Sequence, residues 1–291
     1  MIPYLLLVLA IDGTVVNRTT GKAAPEAPVV LMRLGDGGMM PVGTVKAGAD
    51  GKFQFAQGVD GAYLLQATYE GVTYNKMLRP GEAGTGIELE VFSTSKERSQ
   101  VRIVQHMMLV EPNDGKLMVN ESIIFRNAGQ AAYLDPVSGS YKFALPPAAK
   151  GEVQVRVTGA GGMPVNREAT PAGAPDTYKI DYAIKPGETR FDLQYAFPFE
   201  SPGKFPSRIL HAISNEEGVT RLVTPSGVTL KGAGVEDLGA EPQTQAQVYA
   251  LTKQETEIEV SGTGSLRALE ADEGGSPEPQ AIAPKLMERQ W

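Results

Sequence analysis

From Ile11 onward, short apolar runs alternate with polar, glycine-rich breaks, and within the runs the apolar residues recur every second position, the period of a half-buried strand. This pattern predicts strands at Ile11–Val16, Pro28–Leu34, Pro41–Val45, Lys52–Ala56, Ala62–Tyr69, Val72–Leu78 and Ile87–Phe92. Between them lie Gly35-Asp36-Gly37-Gly38, Asp50-Gly51, Asp60-Gly61 and Glu70-Gly71, residues that accept the positive φ of tight turns. In the run 63–69, Tyr63, Leu65, Ala67 and Tyr69 share one face, which is expected to be core.

A polar joint, Ser93 to Gln100, precedes a second block. Strands are predicted there at Val101–Val110, Lys116–Asn127, Tyr141–Ala144, Glu152–Val157, Tyr178–Ala183 and Thr189–Phe197. The tetrapeptide Lys185-Pro186-Gly187-Glu188 predicts an antiparallel hairpin between the last two, since Pro presets φ and Gly takes the corner. A third block carries Ile209–Ile213, Thr220–Val223, Val228–Lys231, Gln247–Leu251 and Glu257–Val260, and either stands alone or completes the second sandwich. Gln243 to Ser261 lacks Gly and Pro except Gly262 just beyond it, so a helix competes with strand there.

The expected architecture is therefore all-β: tandem antiparallel β-sandwiches, Ig-like or transthyretin-like, with a flexible C-terminal tail. The segments are 1–10, a signal-peptide remnant; 11–92, the first sandwich; 93–100, a linker; 101–199, an Ig-like sandwich; 200–262, a small β-rich region; and 263–291, the tail. Ile2 to Ala10 is apolar, with Val8 and Ala10 in the small positions of a signal-peptide cut after Ala10, although no basic residue precedes Arg18. The run is too short to span a bilayer, which takes ~20 apolar residues. The tail passes through Ala-Asp-Glu-Gly-Gly-Ser-Pro-Glu-Pro at 271–279 and ends on the single Trp, Trp291. Trp favours membrane interfaces, so one reading places a membrane anchor beyond Trp291 in a longer parent chain; the other is a frayed tail.

Composition narrows the function classes. The 291 residues hold 33 Gly and 21 Pro, which leaves little room for long helices. A net charge of -7 disfavours nucleic acid. With no Cys, disulfides, thiolate nucleophiles and Cys-ligated metals are excluded.

The order Ile11-Asp12-Gly13-Thr14-Val15-Val16-Asn17, Gly21-Lys22, Pro28-Val29-Val30-Leu31, Ala49-Asp50-Gly51-Lys52-Phe53-Gln54-Phe55 and Gly61-Ala62-Tyr63-Leu64-Leu65-Gln66-Ala67 resembles the carboxypeptidase regulatory-like domain. The resemblance covers residues 11 to about 80 and implies a seven-stranded transthyretin-like sandwich, related to starch-binding-like folds, that serves exported proteins as an accessory unit without catalytic residues. Phe143 to Ala149 and Phe191 to Phe197 resemble an Ig-like domain of exported bacterial envelope proteins, which names no activity.

Candidate chemistry is sparse. The two histidines, His106 and His211, are far apart in sequence and have no Cys to complete a metal set. His106 and Met108 share a strand face and offer imidazole and thioether to copper; the competing reading is a methionine-rich core edge with a half-exposed His. Ser226 lies between Thr224 and Val228 where a nucleophile elbow needs glycines, and Gly159-Ala160-Gly161-Gly162 lacks the Gly-Lys-Ser/Thr of a phosphate loop. A serine hydrolase would need His211 within reach of a serine and a carboxylate. Tyr69, Tyr74, Tyr133, Tyr141 and Tyr182 are candidates for stacking on sugar rings.

These features predict a non-enzymatic, exported protein, periplasmic or on the cell surface, without cofactors. It would act as a structural or protein-interaction module on envelope proteins or on itself; the alternative is carbohydrate binding by exposed tyrosines.

Overall fold

The computed structural model describes residues 10–35 and 38–266. The chain is all-β, with a 3-10 turn at Pro147–Ala149 interrupting the strands. The predicted signal remnant before Ala10, the tail beyond 266 and Trp291 lie outside the described residues. Among the described residues no helix is long and apolar enough to cross a membrane.

The first unit contains β1 (Ile11–Asn17), β2 (Lys22–Ala23), β3 (Pro28–Gly35), β4 (Gly38–Lys46), β5 (Lys52–Phe55), β6 (Ala62–Tyr69), β7 (Val72–Leu78) and β8 (Ile87–Val91). Two four-stranded sheets form a sandwich: β2 and β5 line one side of β1 and β8 the other, opposed by β4-β3-β6-β7. On β6, Tyr63, Leu65 and Ala67 are fully buried, as their alternation predicts. Glu70 and Gly71 take φ of 47° and 76°, giving the two-residue turn that joins β6 to β7. Asp12-Gly13 lies inside β1, within the predicted strand Ile11–Val16, although an Asp-Gly pair is commoner in turns. Gly13 is there for close approach: a Cβ on it would sit 2.0 Å from the Ile87 carbonyl oxygen of the parallel neighbour β8.

The second unit holds β9 (Thr94–Ser95), β10 (Val101–Asn113), β11 (Lys116–Asn127), β12 (Ala132–Tyr133), β13 (Tyr141–Ala144), β14 (Gln154–Thr158), β15 (Val165–Arg167), β16 (Thr170–Pro171), β17 (Thr177–Ile180), β18 (Gly187–Pro198), β19 (Gly203–Arg208), β20 (Thr220–Thr224), β21 (Thr229–Gly232), β22 (Val235–Ala240), β23 (Gln247–Leu251) and β24 (Glu255–Ser261). An eight-stranded sheet runs β15-β14-β18-β11-β10-β20-β23-β22. Two three-stranded sheets, β13-β17-β16 and β19-β24-β21, pack on its face through contacts such as Phe125 with Tyr141 and Phe197 with Phe205. The strands of the third block therefore belong to the second block's layers, and Leu222, Leu251 and Val260 share one core with Ile103 and Phe191. The Gly- and Pro-free stretch from Gln243 ends in the strands β23 and β24.

Three local expectations are corrected. The hairpin at Lys185–Glu188 does not form: β17 pairs with β13 and β16, whereas β18 pairs with β11 and β14. The intervening residues cross between layers, and Ile184 pairs with Tyr133 on the way. Ile209–Ile213 is not a strand but an irregular loop. The segment from 263, expected to be free, is held at its start, where buried Glu111 accepts bonds from the Ser265 hydroxyl at 3.1 Å and the Leu266 amide at 2.8 Å.

The units meet over a packed surface. Ala132 and Ala183 of the second unit enter the first unit's core cluster, and β9, in the predicted linker, pairs with β12. The Lys185 ammonium lies 4.6 Å from the centroid of the Tyr74 ring and donates to the Thr73 carbonyl.

Candidate functional site

The most unusual feature of the large core is polar. A bulge at Val104 shifts the register of β10 against β11 between Ile103 and Gln105. Inward positions change from odd to even at that point, so Ile103 and then His106, Met108 and Val110 all face the core. On β11 the inward set is Leu117, Val119, Glu121, Ile123 and Phe125. His106 stands opposite Ile123, and its ring reaches diagonally to Glu121. The parallel neighbour β20 places Thr220 beside it, and the loop after β19 brings in His211.

His106 Nε2 lies 2.7 Å from Glu121 Oε1, and His106 Nδ1 lies 2.9 Å from His211 Nε2 and 3.2 Å from Thr220 Oγ1. A carboxylate only accepts, so Nε2 carries a proton and donates to Glu121. Nδ1 and His211 Nε2 share one further proton. His106 is fully buried and Glu121 is 5% exposed, so these bonds replace the water that both groups gave up. Burial, and next the repulsion from His106, push the His211 imidazole down to about 4, which keeps it neutral at pH 7. The result is a hydrogen-bonded line from a buried carboxylate to a half-buried imidazole.

Glu121 also lines a cavity of about 150 Å³ with Tyr141, Tyr195 and Ser207. The cavity lies where the two three-stranded sheets meet over the eight-stranded one: Tyr141 comes from β13, Ser207 from β19, and Glu121 and Tyr195 from the large sheet. The small sheets are joined here by Arg208, which donates to the Pro175 carbonyl at 2.9 Å and to Thr177 Oγ1 at 2.6 Å. Burial, and secondarily the Glu121 charge, hold the phenols of Tyr141 and Tyr195 well above their usual range, so both remain neutral hydroxyls. Ser207 Oγ is buried and has no hydrogen-bond partner among the described residues.

The sequence-predicted residues fare differently. His106 and Met108 do share a face, but His106 is fully buried rather than half-exposed. Both of its ring nitrogens are engaged, which leaves no free lone pair for copper. Among the described residues no group of three or more His, Cys, Asp or Glu is placed to hold a metal ion. Of the tyrosines proposed for sugar stacking, Tyr74, Tyr133 and Tyr141 are buried and Tyr69 and Tyr182 half-buried. Tyr74 donates to the Phe92 carbonyl at 2.9 Å and Tyr69 accepts from Asn17, so these rings serve the cores rather than an exposed platform. Among the described residues His211 bonds His106 and no serine, so the serine–histidine–carboxylate arrangement is not assembled.

Glu121 and Thr220 were missed from sequence. The available signal was phase: Glu121 falls on the same alternate positions as Leu117, Val119, Ile123 and Phe125.

A second feature lies on the first unit's surface. β4 is an edge strand whose described partner is β3, and Met39, Met40 and Val42 on it are 50%, 56% and 42% exposed. No charged residue occurs between Gly38 and Val45.

No family model matches the chain, and a search of curated proteins found no match. Among solved structures it is similar to an M1 zinc metallopeptidase from Deinococcus radiodurans, at 12% identity and a TM-score of 0.27 over 57% of this chain and 43% of that one. It is also similar to native yeast LTA4 hydrolase, at 6% identity and a TM-score of 0.34 over 57% of this chain and 30% of that one. The chain thus spans less than half the length of these structures. Likenesses this slight carry over neither fold nor activity.

Proposed function

We propose that this chain is a non-catalytic, exported envelope protein in which two docked sandwiches form an interaction module that self-associates through β4. The first unit we take as a carboxypeptidase regulatory-like sandwich, a reading supported by its two-sheet arrangement and by the sequence order from Ile11 to Ala67. Export rests on the apolar run Ile2 to Ala10.

The observation that carries the reading is the uncharged, apolar edge at Met39, Met40 and Val42. Edge strands are usually blunted by charge, proline or bulges. Here Pro41 removes one donor and the register shift opposite Leu31/Met32 bends the strand, so a continuous intermolecular ladder is disfavoured. Contact is instead carried by the side chains, and methionine adapts to a partner surface. Met39 and Met40, as successive positions, flank this edge on its two sides, and a twofold arrangement sets the edge against its own copy.

Sedimentation equilibrium tests the reading. Dimerisation in the wild type that is lost in Met39→Lys/Met40→Lys, with folding retained, supports it; a wild type monomeric to hundreds of micromolar overturns it. Export is checked by cell fractionation and amino-terminal sequencing, where an intact cytoplasmic chain overturns that part.

A further inference from the structure

The cavity over Glu121 has the chemistry of a ligand site; it is lined wholly by residues of the second unit, whereas β4 belongs to the first, so the inference is independent of the proposed self-association. Its polar groups are oxygens: the Glu121 carboxylate, of which Oε1 is taken by His106, the hydroxyls of Tyr141 and Tyr195, and Ser207 Oγ. Neither phenol has a hydrogen-bond partner among the described residues, and Ser207, 4% exposed, leaves its hydroxyl unpaired. A buried, unpartnered hydroxyl costs free energy unless something bonds it. The side chains of Phe143 and Phe205 complete the wall with apolar surface. At the rim stand Asp176 and Glu255, against a single guanidinium, Arg208, already committed to Pro175 and Thr177.

Each hydroxyl can donate or accept, but the Glu121 carboxylate only accepts and carries negative charge, so the complementary guest brings donors and positive charge. A cavity of about 150 Å³ is the size that accommodates a benzene-sized guest of about six heavy atoms. We propose that this cavity binds a small organic cation, a primary alkylammonium of about five heavy atoms, with its ammonium on Glu121, the tyrosine hydroxyls and Ser207 and its alkyl chain against Phe143 and Phe205.

The test is a titration of the full chain with n-butylammonium chloride, read by calorimetry and by amide chemical shifts, beside 1-butanol and butyrate as neutral and anionic probes of the same length. Saturable butylammonium binding is expected, with shifts centred on Tyr141, Tyr195 and Ser207 and with the alcohol and the acid at least about tenfold weaker, a difference of about 1.4 kcal/mol. Glu121→Gln is expected to weaken binding by about tenfold or more, and Ser207→Ala by about threefold. If Glu121→Gln does not fold, Ser207→Ala and Tyr195→Phe decide, because each removes only a hydroxyl that the chain leaves unpaired. Absence of saturable binding, equal binding of 1-butanol, or unchanged affinity in these variants overturns the proposal.

Discussion

His106 and Glu121 meet diagonally across β10 and β11, Nε2 to Oε1 at 2.7 Å, and both are buried among the inward-facing Ile103, Met108, Val119 and Ile123 of the same two strands. Removing Glu121 leaves the buried His106 Nε2–H without an acceptor, and removing His106 leaves the buried Glu121 Oε1 without its donor. Glu121→Leu is therefore expected to cost about 3–5 kcal/mol, and the double variant His106→Leu/Glu121→Leu less than the sum of the two single changes. Urea unfolding of the four proteins measures the coupling, and additive losses contradict it.

The second expectation concerns acid. His211 falls from its ordinary 6.5 to about 4 on folding, so between these values the unfolded chain binds more protons. Its contribution to stability is complete above pH 6.5 and is lost as pH falls from there to about 4. Melting temperatures across this interval are expected to drop more steeply for the wild type than for His211→Gln; parallel curves would remove His211 as the cause.

Gly13 and Gly43 form a matched pair of glycine tests. Alanine at 13 drives Cβ into the Ile87 carbonyl, a backbone atom that cannot step aside without opening the β1–β8 ladder. Destabilisation at or above the upper end of about 1–3 kcal/mol is expected. Alanine at 43, on β4, meets only the Phe55 ring at 3.7 Å, an ordinary contact, and is expected to change stability by less than about 1 kcal/mol. Equal effects in thermal unfolding would contradict the close approach.

Lys185 reports on the joint between the units. Burial, with a smaller repulsion from Arg167, pushes its ammonium down to about 8. Because its folded value lies below the usual 10.5, its contribution is present above 10.5 and is lost as pH falls toward 8. Lys185→Met is expected to be less pH-dependent than the wild type over this interval in unfolding experiments. Nuclear magnetic resonance of the lysine side chain should show a midpoint near 8, and an ordinary titration would place Lys185 in solvent rather than over Tyr74.

What the chain's own order of residues determined was local. Period-two alternation is imposed by the pleat, so Ala62–Tyr69, Val72–Leu78, Lys116–Asn127 and Gln247–Leu251 could be bounded to the residue before any contact was known. Turn chemistry is equally local, as Glu70-Gly71 illustrates. Which strands become neighbours is not local: Lys185-Pro186-Gly187-Glu188 has hairpin chemistry, yet the chain crosses between layers there because β18 pairs with β11 and β14 instead. The polar centre belongs wholly to tertiary structure. One extra residue at Val104 sets the face of His106, a loop that reads as a strand delivers His211 across 105 positions, and the seam between two small sheets leaves the cavity over Glu121. Side-chain phase along a strand is written in the sequence, whereas the meeting of distant faces depends on how the layers stack, and that is decided only when the whole core is packed.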